Sequence, residues 1–316
     1  MEDKRYTIYS QYLKKKYGEK VYKLPVNLPV TCPNRDGTVG EGGCVFCGDE
    51  AAGFEMLSDT LSIKQQIQQN MQYIGQKYNA NKFIVYFQNF TNTYMPLEMF
   101  EKCMAQACVP KAVEIAISTR PDCISEPYLV FLSKLQADRG IQISIELGLQ
   151  TVNYHSLYKI NRGHTLAEFI DAVRRIQRYQ FDICTHLIMD LPWDNLIDVI
   201  ESAKLLSALE INQVKLHSLY IVKGTRLGEW HEKQAFKPVK MDEYIKRVVT
   251  FLEYLHPNIA VQRLIGRAPK EETVFVNWHT SWWKIRDEIE RTLEQRDTYQ
   301  GEKCDYLNGK AVAKYR

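Results

Sequence analysis

The stretch KLPVNLPVTCPNRDGTVGEGGCVFCG, residues 23–48, joins a short apolar run to a glycine-rich loop that carries three cysteines. The apolar run, residues 23–30, is short and rich in valine and leucine, which predicts a buried β-strand. Cys32, Cys44 and Cys47 follow it directly. In barrels of alternating strands and helices, the loops that follow the strands carry the chemistry. The stretch therefore predicts both the first strand of such a fold and a candidate site at its carboxyl end.

Five further apolar runs follow, and the segments between them show the periodicity of amphipathic helices. The runs are KFIVYF (82–87), VEIAIS (113–118), IQISIEL (141–147), DICTHLIMDL (182–191) and QVKLHSLYIV (213–222). Strands that alternate with helices predict an α/β fold with a parallel sheet, here a partial (β/α)6 TIM-type barrel. We expect a basic, aromatic N-terminal arm over 1–23, the barrel over 24–230 and a helical C-terminal extension over 231–316. The extension contains predicted helices at 241–255 and 278–296 and a short run, IAVQRLIG, at 259–266.

Composition excludes some classes of protein. The 316 residues carry a formal charge of +3, and 25% of them are charged, so no nucleic-acid partner is demanded by charge alone. No apolar stretch approaches the roughly 20 residues of a membrane span, and the segment MEDKRYTIYS lacks the apolar core of a signal peptide. We expect a soluble, cytoplasmic protein without a membrane partner. In that compartment the eight cysteines are more naturally thiols or metal ligands than disulfides.

The three cysteines of the loop are one fewer than a closed tetrahedral metal site needs. Three thiolates on a glycine-rich loop suit a [4Fe–4S] cluster, with one iron left open to a further ligand. Two other interpretations stay open. Structural zinc would take a fourth ligand from Cys123, Cys304 or a histidine, and Cys44-x-x-Cys47 alone would serve as a redox pair.

The cysteine loop belongs to an ordered set of motifs. They are CPNRDGT, CVFC, YFQNFTNTY, ISTRPDCI, ELGLQT, NRGHT and VKLHSLYIVKGTRL. Together they resemble the radical S-adenosylmethionine (SAM) superfamily, and within it the YhcC/YtqA-like (MnmL-like) subfamily related to the elongator-type radical SAM proteins. The usual spacing of the superfamily is C-x3-C-x2-C, whereas eleven residues separate the first two cysteines here. That long first gap is itself a feature of the subfamily.

The resemblance implies a cofactor pair and a set of site residues. Cys32, Cys44 and Cys47 would ligate the [4Fe–4S] cluster, and SAM would chelate the open iron. Electron transfer from a donor such as flavodoxin or ferredoxin would then cleave SAM and give a 5′-deoxyadenosyl radical. The resemblance assigns no catalytic residue. It also implies residues that bind SAM, for which the sequence offers six candidates: Gln88, Asn89, Glu146, Gln150, Arg162 and His186.

The resemblance further implies tRNA as the substrate. The 5-carboxymethylaminomethyl group of a wobble uridine or 2-thiouridine would become 5-aminomethyl, and Arg120, Arg263 and Arg267 are candidates to bind its carboxylate. Residues 4–23 interleave tyrosines with basic residues, which fits either a surface that stacks bases or an amphipathic helix that covers the barrel. Two alternatives remain: another radical SAM reaction such as methylthiolation, and a zinc-stabilised RNA-binding protein without catalysis.

Overall fold

The computed structural model describes residues 4–48, 56–267 and 273–315. The strands in this part of the chain are β1 (Val21–Asn27), β2 (Lys82–Gln88), β3 (Ala112–Thr119), β4 (Gln142–Gln150), β5 (Asp182–Ile188), β6 (Gln213–His217), β7 (Ile221–Val222), β8 (Ala260–Arg263) and β9 (Thr273–Phe275). The α-helices are α1 (Tyr9–Tyr17), α2 (Ile63–Tyr78), α3 (Leu97–Ala107), α4 (Glu126–Arg139), α5 (Tyr154–Lys159), α6 (Leu166–Gln177), α7 (Leu196–Ala208), α8 (Arg226–Glu232), α9 (Met241–Tyr254) and α10 (Trp282–Gln295).

The main sheet has seven strands in the order β1-β2-β3-β4-β5-β6-β8. β1 pairs with β2, β2 with β3, β3 with β4 and β6 with β8, all in parallel. The predicted α/β class and its alternation of strands with helices are confirmed, and α2, α3, α4, α6 and α7 lie in the five intervals where helices were expected. Strands buried on both faces explain the continuous apolar runs: Phe83, Ile84 and Val85 of β2 are all buried.

Three details differ from the sequence prediction. The run at 259–266 contains β8, which joins the main sheet beside β6 because Ala260 and Val261 are buried there. The run at 213–222 divides into β6 and the short β7, which pairs antiparallel with β9 in a separate two-stranded sheet. The helix expected from residue 278 begins at Trp282, because residues 277–279 have positive φ angles that an α-helix cannot accommodate.

The chain forms two compact units. We call residues 10–149 and 161–184 the cysteine unit, since it contains the three-cysteine loop, and residues 1–9, 150–160 and 185–316 the C-terminal unit. In the C-terminal unit, α10 buries Ile285, Ile289 and Leu293, as their helical spacing predicts. Among the residues that the structure describes, none of the helices combines the length and the apolar composition that a membrane span requires.

Helix α1 packs at the amino-terminal ends of strands in the cysteine unit. Tyr17 and Lys16 donate hydrogen bonds to the carboxylate of Glu114, near the start of β3, and Tyr12 and Lys16 donate to Asp182, the first residue of β5. Glu114 is fully buried. These tyrosines and this lysine are therefore used in packing, which supports the amphipathic-helix interpretation of the N-terminal arm.

Candidate functional site

The cysteine loop follows the carboxyl end of β1 and is folded on itself by backbone hydrogen bonds. The amide of Gly43 donates to the carbonyl of Asn34 at 2.7 Å, and the amide of Cys47 donates to the carbonyl of Cys44 at 2.9 Å. Gly43 has a φ of 74°, a left-handed conformation that glycine adopts without strain. These turns allow a loop with a long first gap to hold all three cysteines close to the sheet.

Asn34 organises this loop from within. Its side chain is fully buried, and its amide nitrogen lies 2.6 Å from the carbonyl oxygen of Asn161 and 3.6 Å from the sulfur of Cys44. Its amide oxygen packs against two glycines: a Cβ atom added at Gly163 would lie 2.5 Å from it, and one at Gly40 would lie closer still. Only glycine leaves room for the Asn34 side chain at these two positions.

Each of the three loop sulfurs lies near the guanidinium of a different arginine. The nitrogen-to-sulfur distances are 4.0 Å from Arg120 Nη1 to Cys32, 3.5 Å from Arg162 Nη1 to Cys44 and 3.7 Å from Arg35 Nη1 to Cys47. The arginines come from separate segments: the loop itself, the end of β3, and the residues that follow α5. Positive charge at thiol sulfurs favours the thiolate, the form that binds metal.

Burial and neighbouring sulfurs act in the opposite direction on Cys47. Its pKa is raised to about 11, first because the thiol is buried and second because of the Cys44 thiol nearby, while Arg35 lowers it. A buried thiol of this kind is protonated at neutral pH, and metal binding would release its proton. Burial also raises the pKa of Cys123, to about 12, with Asp122 as the second cause.

The three sulfurs are not spaced as ligands of one metal ion. Among the described residues, they do not form a group in which all the ligand atoms lie within 4.8 Å of one another. A tetrahedral zinc ion, with Zn–S bonds of about 2.3 Å, would require sulfurs about 3.8 Å apart. A four-iron cube holds its cysteine ligands further apart, and its charge suits a site lined by arginine donors.

Comparison with known proteins identifies the family. The Radical SAM superfamily model matches residues 27–206, and the Radical_SAM C-terminal domain model matches residues 211–295. The chain belongs to the radical SAM superfamily. It is 32% identical to the Bacillus subtilis protein YtqA over 95% of this chain and 92% of that protein, so the YtqA-like resemblance is confirmed. The cofactors of this family are a [4Fe–4S] cluster and SAM.

Two more distant similarities concern elongator-type proteins. The chain is 26% identical to the tRNA uridine(34) acetyltransferase of Methanocaldococcus infernus, over 46% of this chain but only 27% of that enzyme. The solved structure of Elp3 from Methanocaldococcus infernus superposes with a TM-score of 0.68 at 17% identity, over 89% of this chain and 64% of that chain. The structural match supports the radical SAM fold predicted from the sequence.

Arg162, a predicted SAM contact, lies in the cysteine unit beside the loop. Its side chain is buried, Nη1 approaches the Cys44 sulfur, and Nη2 donates to the carbonyl of Gly148 at 2.8 Å. Nε is buried without a hydrogen-bond partner in the described part of the chain. An unpartnered buried N–H is costly unless a ligand accepts from it. A SAM contact for Arg162 therefore stays a prediction that this geometry permits.

The radical SAM fold places Gln88, Asn89 and Gln150 at the carboxyl ends of β2 and β4. Asn89 and Gln150 have φ angles of 79° and 77°, and Phe90 has 47°, all in the left-handed region that non-glycine residues seldom adopt. Asn89 donates to the side-chain oxygen of Asn27 at 3.3 Å. The SAM contacts expected at these strand ends stay a prediction.

Glu146 has a partner that the sequence did not indicate. Its carboxylate is buried in β4 and forms an ion pair with Lys23 of β1. The ammonium of Lys23 also lies 4.2 Å from the ring centroid of Tyr86. A contact between Glu146 and SAM remains a prediction, and it would have to coexist with this ion pair.

His186 and two candidates for the substrate carboxylate lie in the C-terminal unit. The ring of His186 is 5.2 Å from that of His217, and Arg263 Nη2 lies 2.7 Å from His217 Nδ1. Arg267 is exposed, with its guanidinium 4.8 Å from the ring of Trp282. Arg120, the third candidate, is in the cysteine unit and is buried in an ion pair with Asp122, so its charge is already compensated.

Three functional residues were not found from the sequence: Asn34, Arg35 and Asn161. Asn34 and Arg35 lie inside the motif CPNRDGT, and Asn161 begins NRGHT. The motifs marked both segments, but nothing in the sequence shows which polar side chain turns inward. The hydroxyl of Thr165 caps α6 by accepting from the amide of Glu168 at 3.5 Å.

Proposed function

We propose that this protein is a radical SAM enzyme that modifies tRNA, converting the 5-carboxymethylaminomethyl group of a wobble uridine or 2-thiouridine to 5-aminomethyl. The observation that carries the radical SAM part is the three-cysteine loop at the carboxyl end of β1, with an arginine donor at each sulfur. Cys32, Cys44 and Cys47 are the proposed cluster ligands.

When bound, the reduced cluster supplies the electron that cleaves SAM to methionine and a 5′-deoxyadenosyl radical. The chain's own residues hold and shield this site. Asn34 fixes the loop, and Arg35, Arg120 and Arg162 place positive charge at its sulfurs. Gln88, Asn89, Glu146, Gln150, Arg162 and His186 are the proposed SAM contacts, on the expectation that the family's SAM-binding positions carry over.

The proposal that tRNA is the substrate rests on proteins to which this chain is similar. The tRNA uridine(34) acetyltransferase named above acts, by its name, on the uridine at position 34, the wobble position. The match covers about a quarter of that enzyme, so it does not carry the activity of the whole enzyme over to this chain. A carboxymethylaminomethyl group is a reasonable target for hydrogen abstraction, because a radical next to nitrogen and carboxylate is delocalised.

The first experiment tests the radical SAM part alone. The protein is reconstituted anaerobically with iron and sulfide, reduced with dithionite and given SAM, and 5′-deoxyadenosine is measured. We expect product from the wild type and none from Cys44→Ala, with Cys108→Ala as the matched control outside the loop. Bound zinc without iron, and no product, would instead support the zinc-stabilised RNA-binding protein.

The second experiment tests the substrate. tRNA carrying 5-carboxymethylaminomethyluridine is incubated with the reconstituted enzyme, SAM and reduced flavodoxin or ferredoxin. The tRNA is then digested, and its nucleosides are identified by mass spectrometry. The proposal predicts a 5-aminomethyl nucleoside that depends on SAM and on Cys44. A methylthio group on the tRNA, or no change while 5′-deoxyadenosine still forms, would overturn the substrate assignment and leave the radical SAM part standing.

A further inference from the structure

The three arginines at the loop sulfurs are not electrostatically equivalent. Arg120 forms two hydrogen bonds with Asp122, from Nε to Oδ1 at 2.9 Å and from Nη2 to Oδ2 at 2.6 Å. This paired geometry compensates its charge, and Arg120 holds the pKa of Asp122 below the ordinary value although burial acts in the opposite direction. Arg120 therefore brings little net charge to Cys32.

Arg162 has no comparable paired hydrogen bonds to a carboxylate in the part of the chain that the structure describes. In the described part of the chain its hydrogen bonds go to the Cys44 sulfur and the Gly148 carbonyl, and its Nε has no partner. Among the described residues Arg162 forms no ion pair with a carboxylate, although Asp122 feels its charge at longer range, and Arg162 is only 7% exposed. A buried guanidinium without a carboxylate is unfavourable unless another negative group balances it.

The nearest titratable neighbour does not supply that balance. His164 is buried, with Nε2 3.0 Å from the same Gly148 carbonyl that accepts from Arg162. Burial, followed by the charges of Arg162 and Arg120, lowers the pKa of His164 to about 3. The imidazole is therefore neutral at pH 7, and the Cys44 sulfur, 3.5 Å from Nη1, is the group that Arg162 contacts most directly.

We propose that Arg162 is a positioning residue that sets the reduction potential of the cluster, and that Asp122 limits the same effect at Arg120. An added electron makes the cluster more negative, so an uncompensated guanidinium at a ligand sulfur stabilises the reduced form and raises the potential. The Asp122 carboxylate cancels most of this effect at Cys32. The inference rests on the proposed ligation of the cluster by the three cysteines.

Opposite shifts in two variants test this inference. An anaerobic redox titration of the reconstituted protein, followed by electron paramagnetic resonance, measures the midpoint potential without any turnover. Arg162→Gln is expected to lower the ratio of reduced to oxidised cluster at a fixed applied potential at least tenfold. For a one-electron couple this corresponds to a midpoint potential about 59 mV lower. Asp122→Asn is expected to shift the ratio in the opposite direction, because Arg120 then becomes uncompensated.

Two further variants separate charge from structure. Arg162→Lys keeps the charge and is expected to stay close to the wild-type potential, whereas a purely structural role would make it resemble Arg162→Gln. Arg139→Gln removes one exposed positive charge from the same unit, away from the loop, and is expected to leave the potential unchanged. Should Arg162→Gln fail to fold, the Asp122→Asn shift alone decides.

The outcomes distinguish this inference from the proposed function. If the wild type binds no iron–sulfur cluster, or if Cys44→Ala retains it, the proposed ligation is wrong and the inference falls with it. If the cluster forms and depends on Cys44, but Arg162→Gln and Asp122→Asn both keep the wild-type potential, the proposed function stands and only the inference is overturned.

Discussion

Asn34 and Asn161 join the cysteine loop to the Arg162 segment by hydrogen bonds in both directions. Asn34 donates to the carbonyl oxygen of Asn161 at 2.6 Å, and the side chain of Asn161 donates to the carbonyl oxygen of Gly43 at 2.8 Å. Asn161 has a φ of 52°, a strained conformation that these bonds hold in place. These hydrogen bonds hold the loop and Arg162 together, which is what a precise site requires.

Replacing Asn34 should loosen this arrangement. Asn34→Ala removes the bond to Asn161 and leaves the half-buried Asn161 carbonyl without its donor, at a cost of about 1–3 kcal/mol. We expect a lower iron content after reconstitution and a lower unfolding midpoint in urea. Asn81→Ala, at an exposed position, is the matched control and should change neither quantity. Full iron content in Asn34→Ala would show that the cysteine loop does not need the hydrogen bond between Asn34 and Asn161.

Gly163 and Gly140 offer a comparison between steric clash and backbone strain. Both have positive φ angles, 76° and 64°, but an added Cβ meets the Asn34 oxygen only at Gly163, while at Gly140 nothing lies within 4 Å. Gly140→Ala should therefore show only the strain of a left-handed alanine, about 1 kcal/mol. Gly163→Ala should lose more stability, and also iron. Equal effects of the two variants on stability and iron content would contradict the predicted clash.

Cys123 distinguishes a cluster from a four-thiolate zinc site. Its thiol lies close enough to Cys32 for the two to interact electrostatically, which keeps it a candidate for a fourth ligand. If three cysteines hold a cluster, Cys123→Ala should keep about four irons per chain, whereas Cys44→Ala should lose them. Metal analysis measures both. Loss of zinc from Cys123→Ala, with no iron in the wild type, would favour the zinc interpretation.

Asp190 should make stability depend on pH. Burial raises its pKa from 3.8 to about 7, although its carboxylate accepts from the amide of Leu219 at 2.6 Å. The folded state thus holds a proton that the unfolded state releases above about pH 4. The free energy of unfolding should then fall as pH rises from about 4 to 7, by up to about 1.4 kcal/mol per pH unit.

Asp190→Asn keeps an oxygen for the Leu219 amide but cannot ionise. The free energy of unfolding of this variant, relative to the wild type, should rise between pH 5 and 7 and stay level above pH 8, as measured by urea titration at each pH. Asp138→Asn, at an exposed position, serves as the control. A difference between Asp190→Asn and the wild type that does not change with pH would contradict the assignment.

Tyr17 should stabilise the cysteine unit through Glu114. Its hydroxyl donates to a buried carboxylate that also accepts from Ser144 at 2.6 Å. Tyr17→Phe removes one donor from that carboxylate, with an expected cost of about 1–3 kcal/mol. Tyr73→Phe, on an exposed ring, should be neutral. If Tyr17→Phe is equally neutral but weakens tRNA binding, the base-stacking interpretation of the N-terminal arm would be favoured instead.

The sequence by itself predicted the six alternating strands of a parallel sheet, the helices between them and the position of the cysteine loop. These features depend on local patterns: an apolar run predicts a buried strand wherever it occurs, and a parallel sheet places the loop after β1 at a known edge. The motifs likewise sufficed for the family, because the type and order of their residues can be read without knowing any contact.

Only the tertiary structure decided which side chains meet. Arg162 and Cys44 are 118 positions apart, and Asn34 and Asn161 are 127 apart, so no periodicity or spacing predicts either contact. The short apolar run of β8 likewise does not show by itself that it forms a strand. It does so by pairing with the free edge of β6 in the main sheet. The sequence thus specified the ligand types, and the packing of distant segments decided how charge is distributed around them.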